Sequence, residues 1–99
     1  MVAYLIGRMS IVDPDQYNEY KRLTPGIVER YGGKFLTRGG ERMHLEGAPD
    51  DRRVVLVEFK SADAAREFYE SPEYTHARGL REDAAVDMQL MVIEGFEER

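Results

Sequence analysis

Apolar and polar positions repeat in two rhythms along this chain, and the changes of rhythm mark out its elements. Val2 to Val12 is rich in β-branched and aromatic residues and stays apolar on both alternating faces through Tyr4, Leu5 and Ile6, which predicts a strand buried on both sides. A helical rhythm follows: Tyr17, Tyr20, Ile27, Val28 and Tyr31 share one side, while Asp15, Glu19, Arg22 and Glu29 share the other. Asp13 caps this helix, Pro14 suits its first position and Gly32 ends it, while Pro25 predicts a kink or a break. Lys34 to Glu46 reads as a second strand, with a bulge or bend at Gly39-Gly40, and "GAPDDR" as a turn. Arg53 to Lys60 lacks clean alternation through Val54 to Val57 and predicts another strand buried on both faces. Ser61 opens a helix with Ala64, Ala65, Phe68 and Tyr69 inward, Ser71-Pro72 restarts it, and Tyr74, Ala77, Leu80, Ala84 and Ala85 continue the apolar side. Val86 to Phe96 closes the chain as a strand.

The order β-α-β-β-α-β is that of the ferredoxin-like split βαβ unit, an α+β fold with a four-stranded antiparallel sheet and its helices on one face. Its central positions belong to the first and third strands, the two most apolar here. Those strands are apolar on both sides, yet the helices cover only one, and an uncovered apolar face of several hundred square ångströms is unusual on a soluble monomer. A homodimer with the sheets packed face to face about a two-fold axis is therefore expected.

Composition narrows the choice of function. The 99 residues fit a single domain, expected to span 1–99, since domains run from roughly 50 to 250 residues. The chain is 42% hydrophobic and 33% charged, with a net charge of −5 and signs interspersed, which offers no cationic face to nucleic acid or anionic lipid. It has no cysteine, so disulfides, thiolate metal sites and thiol catalysis are excluded. The apolar opening is too short to span a membrane and lacks the marks of a signal peptide, so the expectation is a cytoplasmic protein.

The candidate chemistry gathers around "YGGKFLTRGGERMHLEG", Tyr31 to Gly47. No phosphate-binding loop fits, because Lys34 precedes Phe35 rather than Ser or Thr and no glycine stands at the required distance upstream. Arg38 can grip a carboxylate or phosphate through its planar fork, or it can pair with Glu41, Glu58 or an acidic residue of a partner protomer. His44 can shuttle protons near neutral pH, or it can be a partly exposed edge-strand residue. Arg81 falls inside the apolar arc of Tyr74, Ala77 and Ala84, where it must snorkel, pair or point into a polar cavity. Tyr17, Tyr20, Tyr31, Tyr69 and Tyr74 sit on inward helix faces and could line a cleft with polar tips, or simply edge the core. The expected ligand-binding set is Arg38, His44, Tyr20, Tyr74 and Arg81. Any catalysis would be acid–base work by His44 or Tyr69, and no metal and no cofactor are expected.

The segments "DPDQYNEY", "YGGKFLTRGG", "LEG", "RVVLVEFKS" and "FYESPEY", in this order and spacing, resemble the family catalogued as DUF 1330, a domain of unknown function. The resemblance runs from about Ala3 to Gly95. It implies the dimeric α+β barrel superfamily, hence the fold and dimer expected from the patterning, and brings no established reaction, cofactor or catalytic set. Related barrel families include cofactor-independent monooxygenases, haem-degrading enzymes and lactone isomerases, but a shared fold does not transfer function. Two readings follow. One is a dimer that binds a small organic acid or carbonyl compound between sheet and helices. The other is a cofactor-independent enzyme, monooxygenase-like or isomerase-like, using the same pocket.

Overall fold

The computed structural model describes residues 1–96, so the last three positions of the expected 1–99 domain lie outside the described residues. The elements run β1 (Ala3–Ile11), α1 (Pro14–Arg30), β2 (Lys34–Arg38), β3 (Arg53–Phe59), α2 (Ala62–Glu70), α3 (Pro72–Arg81) and β4 (Ala85–Glu94). The strands form one antiparallel four-stranded sheet in the order β2-β3-β1-β4, with the two most apolar strands at its centre. No helix among the described residues is long and apolar enough to cross a membrane.

The pleat decides which residues make the core. In β1 the odd positions Ala3, Leu5 and Met9 are buried, and in β3 so are Val57 and Phe59. Leu5 lies opposite Val57 on one side and Val92 on the other, so these side chains share a face. The helices cover that face with Val28, Ala64, Ala65, Phe68, Tyr74 and Ala77. Even positions point the other way: Tyr4 and Ile6 stand beside Glu58 and Leu56 of β3 and beside Ile93 and Met91 of β4. Met91 is 44% and Ile93 51% exposed there. The chain is a slab with extents of 44 × 39 × 17 Å, thin enough for one sheet and one helix layer.

Local chemistry starts and stops the helices as expected. Asp13 accepts a bond from the Gln16 amide at 3.1 Å, and Ser61 accepts one from Ala64 at 3.0 Å. The Ser71 hydroxyl closes one helix and opens the next, donating to the Phe68 carbonyl at 2.7 Å while accepting from the Tyr74 amide at 3.1 Å. Gly32, at φ +78°, takes the left-handed turn that leads from α1 towards β2.

Four expectations need correction. Pro25 does not break the helix, because α1 runs unbroken from Pro14 to Arg30 around it. The carbonyl it strands, that of Lys21 four residues back, receives a side-chain donor instead. The second strand ends at Arg38 rather than Glu46, since Gly39 turns away at φ +81° after its amide reaches the Val54 carbonyl at 3.0 Å. The break in register falls between Phe35 and Thr37, at Leu36, three positions before the glycine pair to which a bulge was assigned. Residues 39–52 therefore form an irregular exposed segment carrying Met43 and Leu45, each more than 80% exposed. The last strand starts at Ala85 and stops at Glu94 rather than Phe96. It is interrupted near Asp87, whose φ of 52° accompanies the slip in register between Arg8 and Ser10.

Candidate functional site

Between α1, the α2–α3 pair and the inner face of the sheet lies a cavity of about 30 Å³. That volume takes about two water molecules. Leu5, Val28, Phe35, Val55, Val57, Phe68, Met88 and Leu90 give it apolar walls, and Tyr17, Tyr20, Lys21, Thr24, Arg38, Tyr74 and Arg81 supply its polar atoms. Among the described residues, no carboxylate and no imidazole lines it.

Its most unusual member is Arg81. The residue lies seven positions after Tyr74 on α3, two turns along the same inward side, and is only 7% exposed. None of the ion pairs among the described residues includes it; these join Arg22 to Glu19, Arg30 to Glu73 and Arg52 to Asp50. Its guanidinium reaches the Tyr74 hydroxyl only at 3.5 Å and sits 5.4 Å from the centre of the Tyr20 ring. The buried Nε has no hydrogen-bond partner among the described residues. A buried cation with so little compensation is costly.

The tyrosines beside it are donors. The Tyr20 and Tyr74 hydroxyls share a hydrogen bond of 2.7 Å, which uses one of their two hydrogens and leaves the other free for a ligand. Burial, reinforced by Tyr74, pushes the Tyr20 phenol well above its ordinary value, so it stays protonated at neutral pH. Burial likewise raises Tyr17, whose hydroxyl lies 3.1 Å from the Met9 sulfur. The site presents a cation and neutral hydroxyls, a combination suited to a molecule that arrives with its own negative charge.

Arg38 contributes differently from expectation. Its guanidinium donates to the Lys21 carbonyl at 2.6 Å and to the Thr24 hydroxyl at 3.3 Å, and stacks 4.9 Å from the centre of the Phe35 ring. The Lys21 carbonyl is free for this bond because residue 25 is proline and has no amide hydrogen to offer. Neither Glu41 nor Glu58 partners Arg38 in a salt bridge. Glu58 stands opposite Tyr4 and Lys34 on the other face of the sheet. Arg38 thus ties β2 to α1 and forms part of the cavity wall.

Of the residues expected at the site, Tyr20, Tyr74, Arg38 and Arg81 all line the cavity. His44 does not. The early end of β2 leaves it in the exposed 39–52 segment, away from the lining. Tyr69 also lies outside, 36% exposed rather than inward, with its hydroxyl against Arg78 and its ring 5.8 Å from that of Tyr74. Sequence reasoning missed Lys21 and Thr24, although a threonine directly before a helical proline is a visible signal. It also missed Met88, because the slip at Asp87 hides which side of β4 faces inward.

Fold and cavity define the class: a ferredoxin-like α+β protein with a small polar-tipped chamber between sheet and helices. The family model for a domain of unknown function (DUF1330) matches residues 2–96, and the chain belongs to that family. No protein with a curated description matches it. Among solved structures it is similar to a protein of unknown function from Rhodopseudomonas palustris, at 23% identity and a TM-score of 0.74, covering 98% of this chain and 84% of that one. It is also similar to SnoaB, a cofactor-independent oxygenase from Streptomyces nogalater, at 13% identity and a TM-score of 0.69, over 98% and 95% of the two chains. A third is a dimeric ferredoxin-like protein of unknown function from Bacteroides fragilis, at 13% identity and a TM-score of 0.67, over 95% and 96%. At such identities the likeness establishes the fold alone.

Proposed function

We propose that this protein is a homodimer whose protomers each bind a small organic acid through Arg81, Tyr20 and Tyr74. The observation that carries this reading is the buried guanidinium of Arg81, without a carboxylate partner among the described residues and with an unpartnered Nε. A protein that keeps such a group loses stability by it unless an anion is present for part of the time. A carboxylate would accept from Arg81 and from the free tyrosine hydrogen, in place of the waters that the cavity can hold.

Binding without chemistry is the better supported half of the reading. Drawing a proton from a bound organic molecule needs a base, and among the described residues neither carboxylate nor imidazole lines this cavity. The oxygenase activity of SnoaB, a protein of similar fold, motivates the enzymatic alternative, for which the lining offers Lys21 and the tyrosines in place of a carboxylate or imidazole base. The dimer rests on the outer face of the sheet, where Tyr4, Ile6, Leu56, Met91 and Ile93 come together without a covering helix. Solved proteins of this fold include ones described as dimeric.

Calorimetric titration with acetate, pyruvate and benzoate, alongside acetamide and benzamide, tests the proposal. The acids should release or absorb heat with saturation while the neutral amides do not, and Arg81→Met should abolish the response. Equal binding of acid and amide, or full binding by Arg81→Met, would overturn it.

A further inference from the structure

A cavity of about 30 Å³ takes a carboxylate in place of about two waters, and nothing larger. The rest of an acid held by Arg81 must therefore lie elsewhere. Against the outer side of the same arginine runs an open groove of about 610 Å³, within the range of ligand-binding clefts. Arg81, Met88 and Leu90 line both the groove and the cavity, so the buried guanidinium stands between the two. The rim of the groove is Tyr69, with the Arg78 guanidinium 4.7 Å from the centre of its ring.

The bed of the groove includes Gly79, a glycine within α3. Glycine inside a helix is unfavourable relative to alanine, and one expects a close neighbour that forbids a side chain. Here a Cβ would meet nothing within 4 Å, so the folded protomer has no internal need for glycine at this position. A glycine here leaves open the space that a side chain would take in the groove lining.

Building on the binding reading above, we infer that the ligand is an arylalkyl carboxylate, its carboxylate inside at Arg81 and its ring outside in the groove over Gly79. A flat ring fits the clearance above the glycine and meets the Met88 thioether and Leu90, and methionine sulfur favours aromatic partners. Tyr69 and Arg78 bound the ring on its open side.

Titrating the intact protein with acetate and with phenylacetate, followed by NMR or calorimetry, separates this inference from the reading beneath it. Phenylacetate should bind about tenfold or more tightly than acetate, from the apolar ring surface that leaves water. Gly79→Leu should erase that advantage and leave acetate affinity unchanged, with Gly79→Ala as a milder variant whose added methyl meets no neighbouring atom. If acetate and phenylacetate bind wild type equally, the groove holds no ring and the inference fails while the cavity reading stands. The inference also fails if Gly79→Leu leaves the preference for phenylacetate intact. If neither acid binds, the cavity reading falls and takes the inference with it.

Discussion

Replacing Arg81 by methionine should make the unliganded protein no less stable, and more stable by about 1–3 kcal/mol, which is the usual outcome when an apolar side chain replaces buried charge. The magnitude follows from what Arg81 touches. In its favour stand a hydrogen bond at the long limit, 3.5 Å to Tyr74, and a contact with the Tyr20 ring at 5.4 Å. The ring contact is worth up to about 2 kcal/mol when desolvated. Against it stand an unpartnered buried Nε, at about 1–3 kcal/mol, and the removal of the charge from water, at several kcal/mol. Methionine keeps much of the apolar stem packing, and the Tyr20–Tyr74 bond survives without the arginine. For a domain of this size each kcal/mol moves Tm by about 4–8 °C, so thermal unfolding followed by circular dichroism, with a denaturant titration, resolves the effect. A loss of more than about 1 kcal/mol on the Arg81→Met change would refute the reasoning, because it would show the charge to be well compensated without a ligand.

Other consequences follow from the same contacts. Arg38→Met should cost about 1–3 kcal/mol in the native background by leaving the Lys21 carbonyl with only the long bond from the Thr24 hydroxyl at 3.4 Å, and clearly less in a Pro25→Ala background, where residue 25 regains an amide for that carbonyl. Equal costs in the two backgrounds would show that the proline and the arginine are not coupled. The Tyr20 phenol is raised above its ordinary value of 10.0, so the stability linked to it is complete below about pH 10 and is lost as pH rises towards the folded value. Denaturant titrations from pH 9 upwards should therefore fall more steeply for the native protein than for Tyr20→Phe, and parallel curves would contradict the burial assigned to this hydroxyl. Leu56→Lys, on the outer face beside Ile6, should give a folded monomer by sedimentation, and a persisting dimer would move the interface elsewhere.

Much of the architecture was legible because two signals agreed. The runs at Tyr4 to Ile6 and Val54 to Val57 are apolar on both faces, and the β-α-β-β-α-β order demands two central strands in those places. Caps at Asp13, Ser61 and Ser71 were readable because a short polar side chain before a helix has few other uses. What escaped depends on partners distant in sequence. Pro25 reads as a breaker until Arg38, thirteen positions later, supplies the bond that its stranded carbonyl accepts. His44 reads as a strand residue until Gly39 turns the backbone out of the sheet at φ +81°.

The site was half legible. Arg81 stood out as a charge inside an apolar arc, and the helical spacing that exposed it also placed Tyr74 on its side. Pairing of Tyr20 with Tyr74 could not be read, because it depends on how α1 and α3 lean together over the sheet. Tyr69 shows the converse, a residue within the inward arc of its helix that ends on the rim because Arg78 holds its hydroxyl there.

The most direct test of the account is to observe Arg81 itself. In protein labelled with ¹⁵N, the Arg81 Nε–H resonance, assigned by its loss in Arg81→Met, can be followed while phenylacetate is added. The account predicts a saturable shift and slower hydrogen exchange as the unpartnered Nε gains a carboxylate, with no change on adding phenylacetamide. A resonance that stays fixed while the acid binds would place the carboxylate away from Arg81 and contradict the central claim.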